Sequence, residues 1–498
     1  MNIRLCLILV WLVAGLQLLS AAQNSAPQDP PAQTSGDAGA SSTVNDSART
    51  APAAALSAIA GMQGEGAAAD VTSDVPQIPP ILGGKGASLA FLSELERSNY
   101  LRGGVNVGAA YDDNPLLASQ GAVGDASVSI FPNISIEQTT SRTRWMLGYA
   151  GGLTVNQRFT SQNQGSHNLN FDSEYRLSPH VNLRVAENFS LITGFFDAGN
   201  GTGIVPGSGG PNASLITPLA TQLSSLTTVE TNYHFALNDV MGASGSFYDL
   251  HFSNPSSDVP AGTPSLLTDS ETASGSAFWL HRFFHGDWGG VSYRFDRLTF
   301  NPGGGETLVH SFLAVNTLNL SNGFTVTAFG GPQYSENQNY SVTQGTSTQF
   351  TSTQFTSNDW SVAGGVDGGW QNLRTSLSAG YSRTVSDGGG LLGAVRLQNV
   401  HGSFRRQLIP GWVAALTASY GTNQSLATPS TGNASSINVT SAGFSLERNV
   451  GKSFGLRMGY THDFQQEFGL PAPSPTLDAS RNRVFVTLSY QWAKPLGM

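Results

Sequence analysis

Between Leu101 and Trp492 the chain repeats one pattern: stretches of about 11 to 16 residues in which apolar and polar side chains alternate, separated by gaps that are alternately short and long. A period of two gives a strand two different faces. Eighteen such stretches are predicted, at 101–111, 123–138, 142–156, 166–177, 181–191, 219–235, 240–252, 267–282, 288–300, 307–320, 324–335, 358–370, 373–385, 391–406, 412–424, 437–449, 454–467 and 482–493. The gaps at 139–141, 178–180, 236–239, 283–287, 321–323, 371–372, 407–411 and 450–453 are short, and those between them are mostly longer. Tilted strands of this length span the hydrocarbon core of a bilayer. Within lipid every backbone polar group must be satisfied internally, so a sheet of such strands has to close on itself. The pattern therefore predicts an all-β fold, a transmembrane antiparallel up-and-down β-barrel of about 18 strands. Sixteen is the alternative count, because Pro132 interrupts the second stretch, where a bulge is expected, and 307–320 is apolar on both faces.

Individual stretches show the pattern directly. In 412–420 Trp412, Ala414, Leu416, Ala418 and Tyr420 share one face while Thr417 and Ser419 take the other, and Phe454, Leu456, Met458 and Tyr460 alternate with Gly455, Arg457 and Gly459. Composition agrees: charged residues are 11% and hydrophobic residues 39%, with 58 glycines, which suits one lipid-facing side and one uncharged polar side. Trp145, Tyr175, Tyr233, Trp279, Trp370, Trp412 and Trp492 gather near the short gaps, and Tyr111, Tyr293, Tyr381, Tyr420 and Tyr460 near the long ones. Two interfacial girdles are expected. Of the 24 basic residues only Lys85, Lys452 and Lys494 are lysines, and no basic run suggests nucleic acid as a partner.

The start of the chain reads as an export signal over residues 1–22, with Arg4, an apolar core from Leu5 to Leu19 and the small residues Ser20, Ala21 and Ala22. Cys6, the one cysteine, falls inside it, so no disulfide and no thiolate metal site is expected in the mature protein. Residues 23–74, rich in Ala, Ser, Pro, Gly and Gln, read as a disordered periplasmic linker. Residues 75–100 read as a short lead-in beneath the barrel or as a plug segment entering it, and 101–498 as the barrel.

The last stretch puts Val484, Val486, Leu488, Tyr490 and Trp492 on one face. It resembles the final strand of Gram-negative outer-membrane β-barrels, whose alternating apolar residues end in an aromatic. The resemblance implies an outer-membrane location and makes Tyr490 and Trp492 an assembly signal read by the barrel-assembly machinery, here followed by a short extension from Ala493 to Met498. Ala110-Tyr111-Asp112-Asp113-Asn114 resembles the Tyr-x-Asp-Asn signature of porin-type barrels, some of them associated with exopolysaccharide secretion.

Parity along the strands assigns Arg144, Arg184, Arg294, Asp296, Arg374, Arg396, Arg457 and Arg483 to the lumen. Such arginines either favour anions in a pore or sit inside because a membrane barrel offers charges no other place. The 192–218 gap, with Phe195, Phe196, Ile204 and Val205, is expected to fold inward as a constriction, with a latch onto a neighbouring barrel or a loosely packed surface loop as the alternatives. The repeat of Thr-Ser-Thr-Gln-Phe at 346–350 and 351–355 is expected in a long loop. No catalytic site, cofactor or metal is expected. His281 and His285 straddle a strand end, and the Gly303-Gly304-Gly305 and Gly388-Gly389-Gly390 runs lack the Lys and helix of a phosphate cradle. Three functions stay open: a porin-like channel for passive diffusion of small hydrophilic solutes, an exopolysaccharide-export or secretion barrel, and a structural barrel with a filled lumen. Outer-membrane lipid is the surrounding partner in all three.

Overall fold

The computed structural model describes residues 99–496 apart from 116–120, 161–162, 195–219, 254–267, 284–286, 302–304, 321–323, 345–349, 373, 389–392, 427–434, 452 and 469–477. Eighteen strands make up its regular structure: β1 (Tyr100–Asp112), β2 (Asp125–Thr139), β3 (Thr143–Asn156), β4 (Gln164–Arg176), β5 (Val181–Gly194), β6 (Ala220–Ala236), β7 (Asp239–Ser253), β8 (Asp269–Arg282), β9 (Trp288–Asn301), β10 (Glu306–Leu320), β11 (Phe324–Gln344), β12 (Phe350–Gln371), β13 (Thr375–Ser386), β14 (Val395–Ile409), β15 (Trp412–Ser425), β16 (Ser436–Val450), β17 (Phe454–Phe468) and β18 (Ala479–Pro495). Each pairs antiparallel with its sequence neighbours, and β1 pairs with β18, which closes the sheet into a barrel. Closure leaves no sheet edge running the length of the wall, the condition a bilayer imposes. The Leu496 N–H donates to the Asn99 carbonyl at 2.8 Å, so both ends of the described chain leave the barrel at the short-turn rim.

All eighteen expected stretches are strands, and the count of 18 stands over 16. Their bounds shift by a few residues except in one hairpin. There β11 continues to Gln344 and β12 starts at Phe350, so most of the repeat expected in a loop forms paired strand, with Tyr340 opposite Gln354 and Val342 opposite Ser352. Backbone pairing needs no alternation of side chains, and Thr, Gln and Phe all tolerate it. Pro132 does not mark a bulge. The β2 to β3 register is the same before and after it, and only the pairs at Phe131 and Pro132 are missing, as expected where an N–H is absent. The bulges lie instead at Gln407/Ile409 and His234/Ala236, both beside short turns. The signal, the linker, nearly all of the lead-in and most of the 192–218 gap lie outside the described residues.

The wall has the two faces that the alternation required. On β18 Val484, Val486 and Leu488 are exposed while Phe485 and Thr487 between them are buried; on β3 Leu147, Leu153 and Val155 are exposed. Both sets of large exposed side chains point away from the barrel axis. Where an inward aromatic needs room, glycine supplies it: a Cβ at Gly152 would stand 1.7 Å from the ring of Phe131 on the neighbouring strand. The stretch at 307–320, apolar on both faces, is explained by β10, whose inward Val309, Leu313 and Val315 are buried while outward Phe312 is exposed.

The Tyr-Asp-Asp-Asn stretch fastens the closure. Asn482 on β18 donates from its backbone N–H and its side-chain amide to the two carboxylate oxygens of Asp113, each at 2.7 Å, and Asn114 donates to the Ser480 carbonyl at 3.0 Å. Asp112 faces the Arg481 guanidinium at 3.7 Å.

Candidate functional site: the barrel lumen

Six of the eight residues assigned to the lumen by parity lie on the inward face: Arg144, Arg184, Arg294, Asp296, Arg457 and Arg483. Arg374 does not: it belongs to the exposed turn before β13, where its N–H is held by the Asn372 side chain at 2.9 Å. Arg396 sits on the face opposite Leu397 and Asn399, which are buried, and shares its parity with Val400, which is exposed. Its assignment took Leu397 for a lipid-facing residue, yet Arg396 meets the lumen side by another route, because it pairs with Asp359, which shares the inward face of β12 with Ala363. Tyr490 and Trp492 are on the outward face of β18 near the short-turn rim, with Gln491 pointing the other way.

Over β1 to β6 the inward charges form a belt of alternating sign. Glu137 on β2 accepts from Arg102 on β1 at 2.7 Å and from Arg144 on β3 at 2.8 Å. Register then sets Arg144 opposite Glu174 on β4, Glu174 opposite Arg184 on β5, and Arg184 opposite Glu230 on β6. Arg184 also pairs with Asp172. The same economy holds elsewhere: Arg294 pairs with Asp296 at 2.7 Å, and Arg481 with Asp463 at 2.9 Å. Paired charges produce a dipolar wall with a short-ranged field, unlike the one-sign ring that selects strongly between anions and cations.

The facing wall differs. Val240, Phe278, Leu280, Trp288, Leu313, Val315, Phe329 and Ala363, from β7 to β12, form one buried cluster whose members lie on the inward face. Arg282 lies over the Trp288 ring at 5.9 Å, a cationic contact at the short-turn end of that patch.

The lumen narrows toward the long-loop rim. The ladder between β12 and β13 stops at Gly364 opposite Arg383, although both strands continue. Beyond it the β13 to β14 hairpin leans into the barrel. The Ser270 hydroxyl on β8, five strands away, donates to the Asp387 carboxylate at 3.0 Å, with both residues buried. Val385 and Ala394 join Leu298, Phe300 and Val309 of β9 and β10 in a second apolar cluster. The Leu426 N–H donates to the Ala394 carbonyl at 2.9 Å, which ties the hairpin to the end of β15. Sequence reasoning placed a constriction in the 192–218 gap, most of which lies outside the described residues, and the five-residue gap expected at 386–390 gave no signal except its glycines.

Among the described residues no group of three or more His, Cys, Asp or Glu side chains is arranged to hold a metal ion. His251 is paired with Asp269 at 2.6 Å and His281 with Asp239 at 2.9 Å.

No family model and no curated protein matches the chain. Among solved structures it is similar to the ferric citrate transporter FecA in its unliganded form (TM-score 0.42, 8% identity, 80% of this chain and 79% of that one). It is also similar to Pseudomonas aeruginosa OpdK with vanillate (TM-score 0.37, 10% identity, 79% and 99%) and to the siderophore receptor PiuA from Acinetobacter baumannii (TM-score 0.42, 8% identity, 80% and 82%). At these values the likeness is one of architecture. The closed 18-strand wall with its apolar outer face and polar, ion-paired inner face is that of an outer-membrane barrel.

Proposed function

We propose that the protein is a porin-like channel through which small hydrophilic solutes cross the outer membrane by passive diffusion. The alternating belt from Arg102 to Glu230 carries this reading. Each of six neighbouring strands sets an inward charge in this belt, several of them paired to one another, and such a wall suits a water-filled passage better than a packed interior. Because that belt balances its signs, the channel discriminates weakly between anions and cations, and size selection falls to the β13 to β14 hairpin at the outer mouth. The Tyr-Asp-Asp-Asn stretch that resembled export-associated barrels has a structural task in closing β1 on β18, so it lends the export reading no weight. Planar-bilayer recording of the refolded barrel tests the proposal. Discrete ohmic openings with a reversal potential near zero in a salt gradient are expected, and a folded protein that carries no current would sink it.

A further inference from the structure

Six rings on the lipid-facing side of β9 to β12 surround hydrogen-bond donors that the protein leaves without an acceptor, and we propose that this cluster binds the phosphate of an outer-leaflet lipid through His310, Tyr334 and Trp360. Tyr293 and Phe295 share the outward parity of the exposed Val291, Phe312 and Trp360 are 57% and 71% exposed, and His310 and Tyr334 are register partners. The rings lie side by side: Tyr293 and Phe312 have centroids 4.8 Å apart, Phe295 and His310 5.0 Å, His310 and Tyr334 6.4 Å, and Tyr334 and Trp360 5.1 Å. Five of them, without Phe295, line one hollow of about 500 Å³. The Tyr293 hydroxyl is 2.8 Å from His310 Nδ1 and has no other acceptor among the described residues, so it donates there and the neutral imidazole carries its proton on Nε2. That N–H has no partner among the described residues, and neither has the Tyr334 hydroxyl or the Trp360 indole N–H. Comparable groups elsewhere on the wall are met inside the protein: the Tyr381 hydroxyl donates to Gln398 at 2.8 Å, the Tyr460 hydroxyl to Asn482 at 2.6 Å and the Trp279 indole to Asp239 at 3.2 Å. Donors turned toward lipid and left unmet are costly, and a set of donors with no acceptor among them selects a ligand rich in acceptor oxygens.

Height on the wall chooses the source of those oxygens. Trp370 stands at the short-turn end of β12, ten residues from Trp360 and on the same face. At roughly 3.3 Å per residue and a tilt near 40°, that separation is about 25 Å of height, the extent of the apolar band. Trp360 therefore marks the outer boundary of the band, the level at which headgroup phosphates begin. Below it a second hollow, of about 750 Å³, starts at Tyr293 and Phe312 and runs past Val291 to Trp279, Met241 and Tyr233. Its apolar lining suits the acyl chain of the same lipid. The inference stands apart from the channel reading, because it concerns the outer wall and its readout needs no conductance.

Trp360 is the reporter. The barrel is reconstituted in phosphatidylcholine vesicles doped with brominated phosphatidylcholine or, separately, with the brominated diacylglycerol that lacks the phosphate, and the Trp360 contribution to quenching is isolated by subtracting a Trp360→Phe variant. Trp145, whose indole donates to Gln138, is isolated in the same way and gives the ratio for a girdle position without the site. Enrichment of the phosphate-bearing lipid at Trp360 by about tenfold over that ratio is expected, the factor for one hydrogen bond to a charged group. His310→Phe with Tyr334→Phe keeps the rings and removes two donors, and should bring the ratio down to that of Trp145. A wild-type ratio equal to that of Trp145, or an enrichment that survives the double variant, overturns the proposal. Loss of the enrichment on adding inorganic phosphate also overturns it, since that marks a soluble-anion site, as does a Trp360 shielded from both brominated lipids, which marks contact with a second barrel. If the double variant fails the heat-shift test for a folded barrel, Tyr334→Phe alone decides: a severalfold drop supports the site and an unchanged ratio refutes it.

Discussion

The barrel has two junctions where neighbouring strands had reason to part, and only one of them does. The closure between β1 and β18 joins segments almost 400 residues apart in sequence, yet it runs in unbroken register from Tyr100 opposite Pro495 to Asp112 opposite Arg483. The junction between β12 and β13 joins strands separated by a three-residue turn, and its ladder covers only eight pairs before the strands diverge. Proximity in sequence does not decide which ladder holds. At the closure, side chains reinforce the backbone at both rims: the Asp113 and Asn114 latch at one end, and at the other the Trp492 indole, which fills the space where a Cβ of Gly103 would stand 2.5 Å away. At β12 and β13 the hairpin gains more by turning inward, where Val385 and Ala394 are buried against β9 and β10 and Asp387 accepts from Ser270. Local pairing energy is modest per residue, so burial of a few apolar groups is enough to draw a hairpin tip away from its neighbour.

The strongest test of the contrast is at the closing rim. Trp492→Asp removes the ring from Gly103 and puts a charge on the lipid-facing rim, a loss of about 1 to 3 kcal/mol, and the amount of folded barrel in membrane fractions should fall severalfold. Gln491→Asp faces the lumen and should leave the level near wild type. Matching losses in quantitative blots of the two variants would mean that the outward assignment of β18 is wrong.

Next comes the latch. Asp113→Ala strands two donors of Asn482 and should lower stability by about 1 to 2 kcal/mol in urea titrations of the micellar protein. Asp359→Ala breaks an ion pair at the looser junction whose carboxylate is 43% exposed, and should shift the same titration by no more than a few tenths of a kcal/mol. A reversed ranking breaks the comparison.

A third prediction concerns the leaning hairpin. Asp387→Ala should free its tip and raise single-channel conductance. The Ser270→Cys, Asp387→Cys pair should keep wild-type conductance when oxidised and resemble Asp387→Ala when reduced; Cys6 is the only native cysteine and lies in the expected signal, so no other thiol interferes. Conductance that is the same in all of these would show that the hairpin does not narrow the mouth.

The smallest effect is expected in the belt. Arg144→Gln leaves Glu137 with Arg102 as its partner, and Arg144 is itself one-third exposed, so the change in stability should be within about 0.5 kcal/mol. The reversal potential should move slightly toward cation preference. A large shift would mean that the paired belt behaves as a one-sign ring.

The sequence by itself determined where the strands run, the antiparallel order, the two faces of β3 and β18 and the inward position of Arg144, Arg184, Arg294, Asp296, Arg457 and Arg483, while leaving 16 open beside 18 as the count. These follow from a period of two and from the bilayer's demand that one face be apolar, both of which act residue by residue. Tertiary structure alone decided the rest. The setting of Arg396 was hidden because β14 offers Val395 and Leu397 on one face and Val400 on the other, and only the inward lean of the hairpin brings Arg396 to the inward Asp359 of β12. The bond between Ser270 and Asp387 and the cluster around Val309 join residues on strands several places apart around the wall, a distance at which periodicity carries no information. The partner of each lumen arginine was hidden for a related reason. Whether an arginine selects anions or is neutralised depends on the register between strands, as where Arg102 and Arg144 converge on Glu137, and register is set by the closed sheet as a whole.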